Sequence, residues 1–342
     1  MSAETQGHKV KLQTMAKVVA YKKKLIPTNI PETYEINPKL AAITGSNEAT
    51  IRSAVLTLRD FLHSLFDHLA KSEYAVPPKK PTSAGDYPFI GNISTLLVEI
   101  GYNGCLDGDS LMLEKMPVAK KNCYKFLEEC GFVFAETTIT FPNNPAVLVG
   151  LKAMAFADME LRTTRRFKND DQFLRLDYHL LKADPVDMYD VLKDHIHPLH
   201  EKVQDFILHL HKRYVSAGLT CAMRILGDVT IAYADMRASK KEHTTQDIYQ
   251  KRLYEISHSI AHSYCLYVRA KKTAKYAPLI ETFPPYLQEK IANGYGCDRK
   301  RGEPCQGGCQ GIRIPLDETV LDIADEIAIW LDNELPPTHP TR

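Results

Sequence analysis

Within ATIRSAVLTLRDFLHSLFDHLAKS, the apolar residues Ile51, Val55, Leu58, Leu62, Leu65 and Leu69 recur at steps of three and four. That spacing draws one continuous stripe down an α-helix, and the chain must supply a second apolar surface for the stripe to pack against. A length of 342 residues exceeds what one core usually organises, so two domains are expected, with 44% hydrophobic and 25% charged residues as in ordinary globular chains. Forty-three Lys and Arg against forty-two Asp and Glu leave a formal charge of +1. Bulk electrostatics therefore gives no ground for a nucleic-acid or membrane partner, and any polyanion contact must be a local patch. No segment reaches the roughly eighteen uninterrupted apolar residues of a membrane span, and MSAETQGHKVKLQ lacks the apolar centre of a secretory signal. A cytoplasmic location with reduced thiols is the resulting expectation.

Residues 1–20 read as a flexible tail. Lys22, Lys23 and Lys24 then lead into LIPTNIPETYEINPKLAAITG, where Pro27, Pro31 and Pro38 forbid a long helix and predict an ordered arm along the surface. The striped helix follows, and proline, glycine and serine mark a loop over 76–88. No internal repeat at solenoid periods is visible. ISTLLVEIGYNG, DSLMLEK, VAKKNCYKFLEECG and VFAETTITFPNN read as helix, short strand, helix and strand, an order that resembles a winged helix. Its second helix, over about 118–130, buries Cys123, Phe126, Leu127 and Cys130 and stops at Gly131. Lys120, Lys121 and Lys125 lie on the outer side of that helix, where they either contact nucleic-acid phosphates or form an ordinary solvated face.

NPAVLVGLKAMAFADMEL predicts a largely apolar helix at the heart of a first domain spanning 21–183, and FLRLDYH a short strand near its end. A second domain spans 184–335, followed by a tail over 336–342. Two helices separated near Pro198 carry His195, His197, His200, His209 and His211, and their spacing does not fit one metal ion. They read as solvated or amphipathic positions. YVSAGLTCAMRIL and DVTIAYADMRA alternate as strands, and LYEISHSIAHSYCLYVRAKK continues the alternation. As one straight strand this puts His258 and His262 about 13 Å apart, whereas a turn within HSIAHS would bring either histidine to another loop.

YGCDRKRGEPCQGGCQG places Cys297, Cys305 and Cys309 within thirteen residues. The Cys305–Cys309 spacing, with Gly307 and Gly308 between, suits two thiolates wrapping one tetrahedral ion, and soft sulfur ligands favour zinc. His262 is the selected fourth ligand, with His258, Cys265, Asp298 or water as alternatives. A filled shell makes a structural clip, and water leaves a Lewis-acid position. A disulfide plus a free thiol, a redox switch and chance enrichment also fit three cysteines. Arg269, Lys271 and Lys272, together with Arg299, Lys300 and Arg301, bracket this region as an anion or nucleic-acid contact.

The strands, helix, strand and terminal helix around IRIPLDE resemble the double-wing domains of the YjbR family over roughly the last ninety residues, and the chain also resembles uncharacterised bacterial hypothetical proteins. Neither resemblance implies a catalytic residue. The sequence has no Walker A segment, no GxGxxG after a strand and no GxSxG elbow. The expectation is an α+β chain with a winged-helix-like helical first domain and a smaller antiparallel-sheet-plus-helix second domain. Its expected role is a non-enzymatic regulatory or nucleic-acid-associated binding protein carrying a zinc clip. A metal- or thiol-dependent enzyme with a site between the domains, and a protein-interaction module, are the rival readings.

Overall fold

A computed structural model describes residues 15–72, 88–119, 121–161, 173–184, 186–225, 228–237, 243–259, 263–269, 273–293 and 312–335. Contacts divide the chain into two compact units, Met1–Val186 and Asp187–Arg342. The secondary structure is mixed helix and sheet with two antiparallel sheets, an α+β arrangement. Among the described residues no helix is long and apolar enough to cross a membrane.

The first unit opens with α1 (Met15–Leu25), α2 (Pro38–Thr44) and α3 (Glu48–Lys71). Helix α1 begins inside the expected tail because Val18 and Val19 are buried and anchor it. The proline-rich arm is ordered as expected. Ile30 and Ile36 are buried, and the Asn37 amide donates to the Leu181 carbonyl at 2.8 Å. Asn47 caps α3 by accepting from the Thr50 amide at 2.9 Å. All six stripe residues of α3 are buried.

Their partner is α6 (Ala146–Phe156), reached through α4 (Pro88–Asn103), β1 (Cys105–Asp107), β2 (Ser110–Met112), α5 (Lys121–Glu129), β3 (Val133–Ala135) and β4 (Thr138–Thr140). Helix α6 is apolar around its circumference except at Lys152, whose ammonium donates to the Tyr102 carbonyl at 2.9 Å, because α3 and α4 both pack on it. Glycine sets both distances: a β-carbon at Gly150 would overlap the Ala54 carbonyl oxygen of α3, and one at Gly101 of α4 would lie 2.6 Å from the Leu151 carbonyl oxygen. The strand expected in FLRLDYH does not form. Leu176 turns the backbone at φ 40°, and Tyr178–Leu180 is a 3-10 turn.

The four short strands form a sheet in the order β1-β2-β4-β3, with Leu111 opposite Ile139 at its centre. Two helix–hairpin units meet there, α4 with β1 and β2, and α5 with β3 and β4. Gly131, at φ 106°, stops α5 as the sequence predicts.

The second unit contains α7 (Met188–Ile196), α8 (Glu201–Ser216), β5 (Leu219–Ile225), β6 (Asp228–Asp235), α9 (Thr245–Lys251), β7 (Arg252–Ser259) and β8 (Ser263–Val268). It continues with α10 (Ala277–Ile280), α11 (Pro285–Asn293), β9 (Ile312–Pro315), a 3-10 turn over Glu318–Ile323 and α12 (Ala324–Glu334). The strands make an antiparallel sheet in sequence order from β5 to β9. The alternating segment around SHSIAHS is therefore two strands, with Ser259 paired to Ser263, and not one straight strand. One sheet face carries Tyr233, Tyr254, Val268 and Ile312 in a cross-strand row, with Ile231, Ile256, Leu266 and Ile314 in the next. These pack with Ile207, Leu210 and Tyr214 of α8 and Trp330 and Leu331 of α12 into the main core of the unit. Trp330 is fully buried. Its indole donates to the Tyr276 hydroxyl at 2.8 Å, and that hydroxyl donates to Glu334.

Candidate anion-binding face

The other face of the second sheet is built differently. Strand alternation and register align Ala222, Ala232, Glu255, Tyr267 and Arg313 in a row across all five strands. Arg224, Thr230, Ser257 and Cys265 form the row beside it. Helix α9 packs over the β5–β6 part, where Ile248 joins Ala232, Ala234 and Met236 in a small apolar cluster. A capping box between Thr244 and Asp247 starts that helix and presents Tyr249 to the sheet.

A bulge brings Arg252 onto this face. Residues three apart on a regular strand point to opposite sides, so Arg252 and Glu255 should be separated by the sheet. The register shifts between Tyr233 and Ala234: Tyr233 pairs with Tyr254 and Ala234 with Arg252, leaving Leu253 as the extra residue. The shift puts Arg252 and Glu255 on one side, where they form an ion pair.

Two arginine–tyrosine–arginine stacks result. The guanidinium carbons of Arg224 and Arg252 lie 3.5 and 3.6 Å from the Tyr249 ring centroid. Those of Arg269 and Arg313 lie 4.6 and 5.0 Å from the Tyr267 ring centroid. Glu255 joins the two stacks: Arg252 Nε pairs with its Oε2, and Arg269 Nη2 lies 3.8 Å from its Oε1. Stacking on a ring fixes the guanidinium plane, and Arg252 also donates from Nη1 to the Tyr249 carbonyl oxygen. The array spans four strand spacings, about 19 Å. Its centre is buried, with side-chain exposures of 9% at Arg252 and 4% at Glu255, and 15% at Arg269.

Four guanidiniums and the Glu255 carboxylate meet on this face.

The residues expected from sequence to contact phosphate or hold metal fall in three groups. Arg269 belongs to the stacked array. Lys121 and Lys125 are exposed on α5 of the first unit, while Cys123, Phe126 and Leu127 face its core and Cys130 is half-buried. Lys120, Lys271, Lys272, Arg299, Lys300, Arg301, His262, Cys297, Cys305 and Cys309 lie outside the described residues. Arg224, Arg252 and Arg313 were missed by sequence reasoning. The only signal available was an arginine at alternating positions of strands otherwise apolar on both sides.

The histidine reading needs correction. His197, His200 and His209 are exposed, but His195 and His211 are buried. His211 shares a hydrogen bond with the Tyr233 hydroxyl at 2.9 Å, and burial lowers its pKa below the ordinary value. His195 lies beside His258 and Tyr264, the latter two stacked at 4.1 Å on the helix-covered face. Among the described residues no group of three or more His, Cys, Asp and Glu side chains could hold a metal ion. Burial pushes the Cys221 thiol up to about 11 and that of Cys130 up to about 12, so neither is poised as a thiolate. Comparison with protein-family models, with curated proteins and with solved structures returns no match to this chain.

Proposed function

We propose that the chain is a non-enzymatic, cytoplasmic binding protein that associates with nucleic acid through phosphate groups, using the arginine face of the second unit. The observation that carries this reading is the pair of arginine–tyrosine stacks sharing the Glu255 carboxylate. The contact is to phosphate and not to base identity, because both tyrosine rings already have guanidinium partners. Binding of a labelled single-stranded oligonucleotide should weaken steeply as salt rises. An Arg269→Ala, Arg313→Ala double variant should bind about tenfold more weakly, with the log–log salt slope reduced by about one to two. Equal binding by wild type and this folded variant rejects the face as the contact. Lys121 and Lys125, exposed on the helix leading into the β3–β4 hairpin, support a winged-helix-like accessory contact. Their replacement by alanine measures its share.

A structural zinc clip formed by Cys297, Cys305 and Cys309 with His262 is proposed on ligand spacing. The sheet register bears on the fourth ligand. Position 262 immediately precedes Ser263 at one end of β8, while β9 starts with Ile312 opposite Val268 at the other. Those strand ends are about 17 Å apart, so a site joined by His262 requires the cysteine segment to run back along the sheet. Protein purified without added metal should carry stoichiometric zinc that is lost from Cys305→Ser and Cys309→Ser. Metal-free, folded wild type rejects the clip, and zinc retained in His262→Ala moves the fourth ligand elsewhere.

A further inference from the structure

We infer that Glu255 is a built-in competitor for the anion, and that it makes the arginine face selective for a terminal phosphate of nucleic acid over the phosphodiester backbone. This rests on the arginine face being the phosphate contact. Glu255 spreads its two oxygens between Arg252 and Arg269, one guanidinium from each tyrosine stack. An arriving phosphate must draw those guanidinium edges away from the carboxylate or add itself to a site that already holds one negative charge.

Charge decides which ligand can do so. A phosphodiester brings a single negative charge, equal to that of the carboxylate it confronts, so the exchange gains little. A phosphomonoester carries about −1.5 to −2 at neutral pH with three acceptor oxygens, so it outbids the carboxylate for both guanidiniums. Specificity of this kind comes from a repulsive group placed against the wrong ligand. The bulge at Leu253 is the structural device, because without it Glu255 and Arg252 would lie on opposite faces.

The test compares three probes against the full chain: one oligonucleotide with a 5′-phosphate, the same oligonucleotide with a 5′-hydroxyl, and a serine-phosphorylated peptide. Wild type should bind the 5′-phosphate form about tenfold more tightly than the 5′-hydroxyl form. Glu255→Gln should tighten binding of the 5′-hydroxyl form and narrow the preference to about threefold or less. Glu255→Asp retains the charge and should keep the preference, and it guards against a fold defect in the glutamine variant. If wild type binds both oligonucleotides equally, and Arg269→Ala with Arg313→Ala weakens both, the selectivity is overturned while the arginine face stands. If neither oligonucleotide responds to the arginine substitutions, the underlying reading fails as well. A phosphopeptide bound as tightly as the 5′-phosphate form overturns the assignment to nucleic acid.

Discussion

Trp330→Ala should destabilise the second unit by about 4 kcal/mol, the range found when a large aromatic is deleted from a packed core. The side chain is fully buried among β-strand and helix residues, so its removal leaves a cavity that its neighbours cannot close. A polar loss adds to the apolar one. The Tyr276 hydroxyl accepts from the indole and donates to Glu334, which is itself buried. Tyr276→Phe, which keeps the ring and deletes the hydroxyl, should therefore cost about 2 kcal/mol by leaving two buried groups short of a partner. Trp330 is the only tryptophan of the chain, so its fluorescence follows unfolding of this core without a label. Denaturant titration of wild type and Tyr276→Phe decides the point. Stabilities that agree within a few tenths of a kcal/mol would show that the hydroxyl bridges nothing.

Gly150→Ala should cost the first unit about 3 kcal/mol, although alanine is intrinsically the better helix former by about 1 kcal/mol. The added carbon meets the carbonyl oxygen of Ala54 and lies 3.0 Å from the Leu58 β-carbon, so α3 and α6 must move apart along a shared buried stripe. Gly45 supplies the control. It also stands where glycine is favoured, at φ 63°, but no atom lies within 4 Å of its missing β-carbon. Gly45→Ala should cost only about 1 kcal/mol through backbone strain. Urea unfolding followed by circular dichroism should separate the two variants clearly, and equal losses would mean that α3 and α6 do not approach as closely as described.

Sequence reasoning recovers what is written in local period and loses what is made by pairing. The α3 stripe is legible because six apolar residues at helical steps have no other economical arrangement. The proline arm, the Gly131 stop and strands β5 and β6 are legible for similar reasons. The β7–β8 hairpin is legible only as the alternative to one straight strand. Tyr254, Ile256, His258, Ile260, His262 and Tyr264 keep a two-residue period straight through the connection, and no glycine, proline or asparagine marks the turn. The arginine face is hidden more deeply. Its members run from Arg224 to Arg313, and only the register of five strands and one extra residue at Leu253 brings them together. Arg269 stood out because lysines follow it in sequence, not because a face could be seen. Buried His195 and His211 were misjudged because a histidine on an amphipathic helix looks alike from either side until its tertiary partners, Tyr264 and Tyr233, are known.

The paired helix–hairpin units of the first sheet also bear on solubility. Joining them through β2 and β4 puts β1 and β3 at the two borders, each only three residues long. A border that brief offers a neighbouring molecule too few unpaired amides and carbonyls to extend the sheet, so this mode of joining leaves little template for fibril growth.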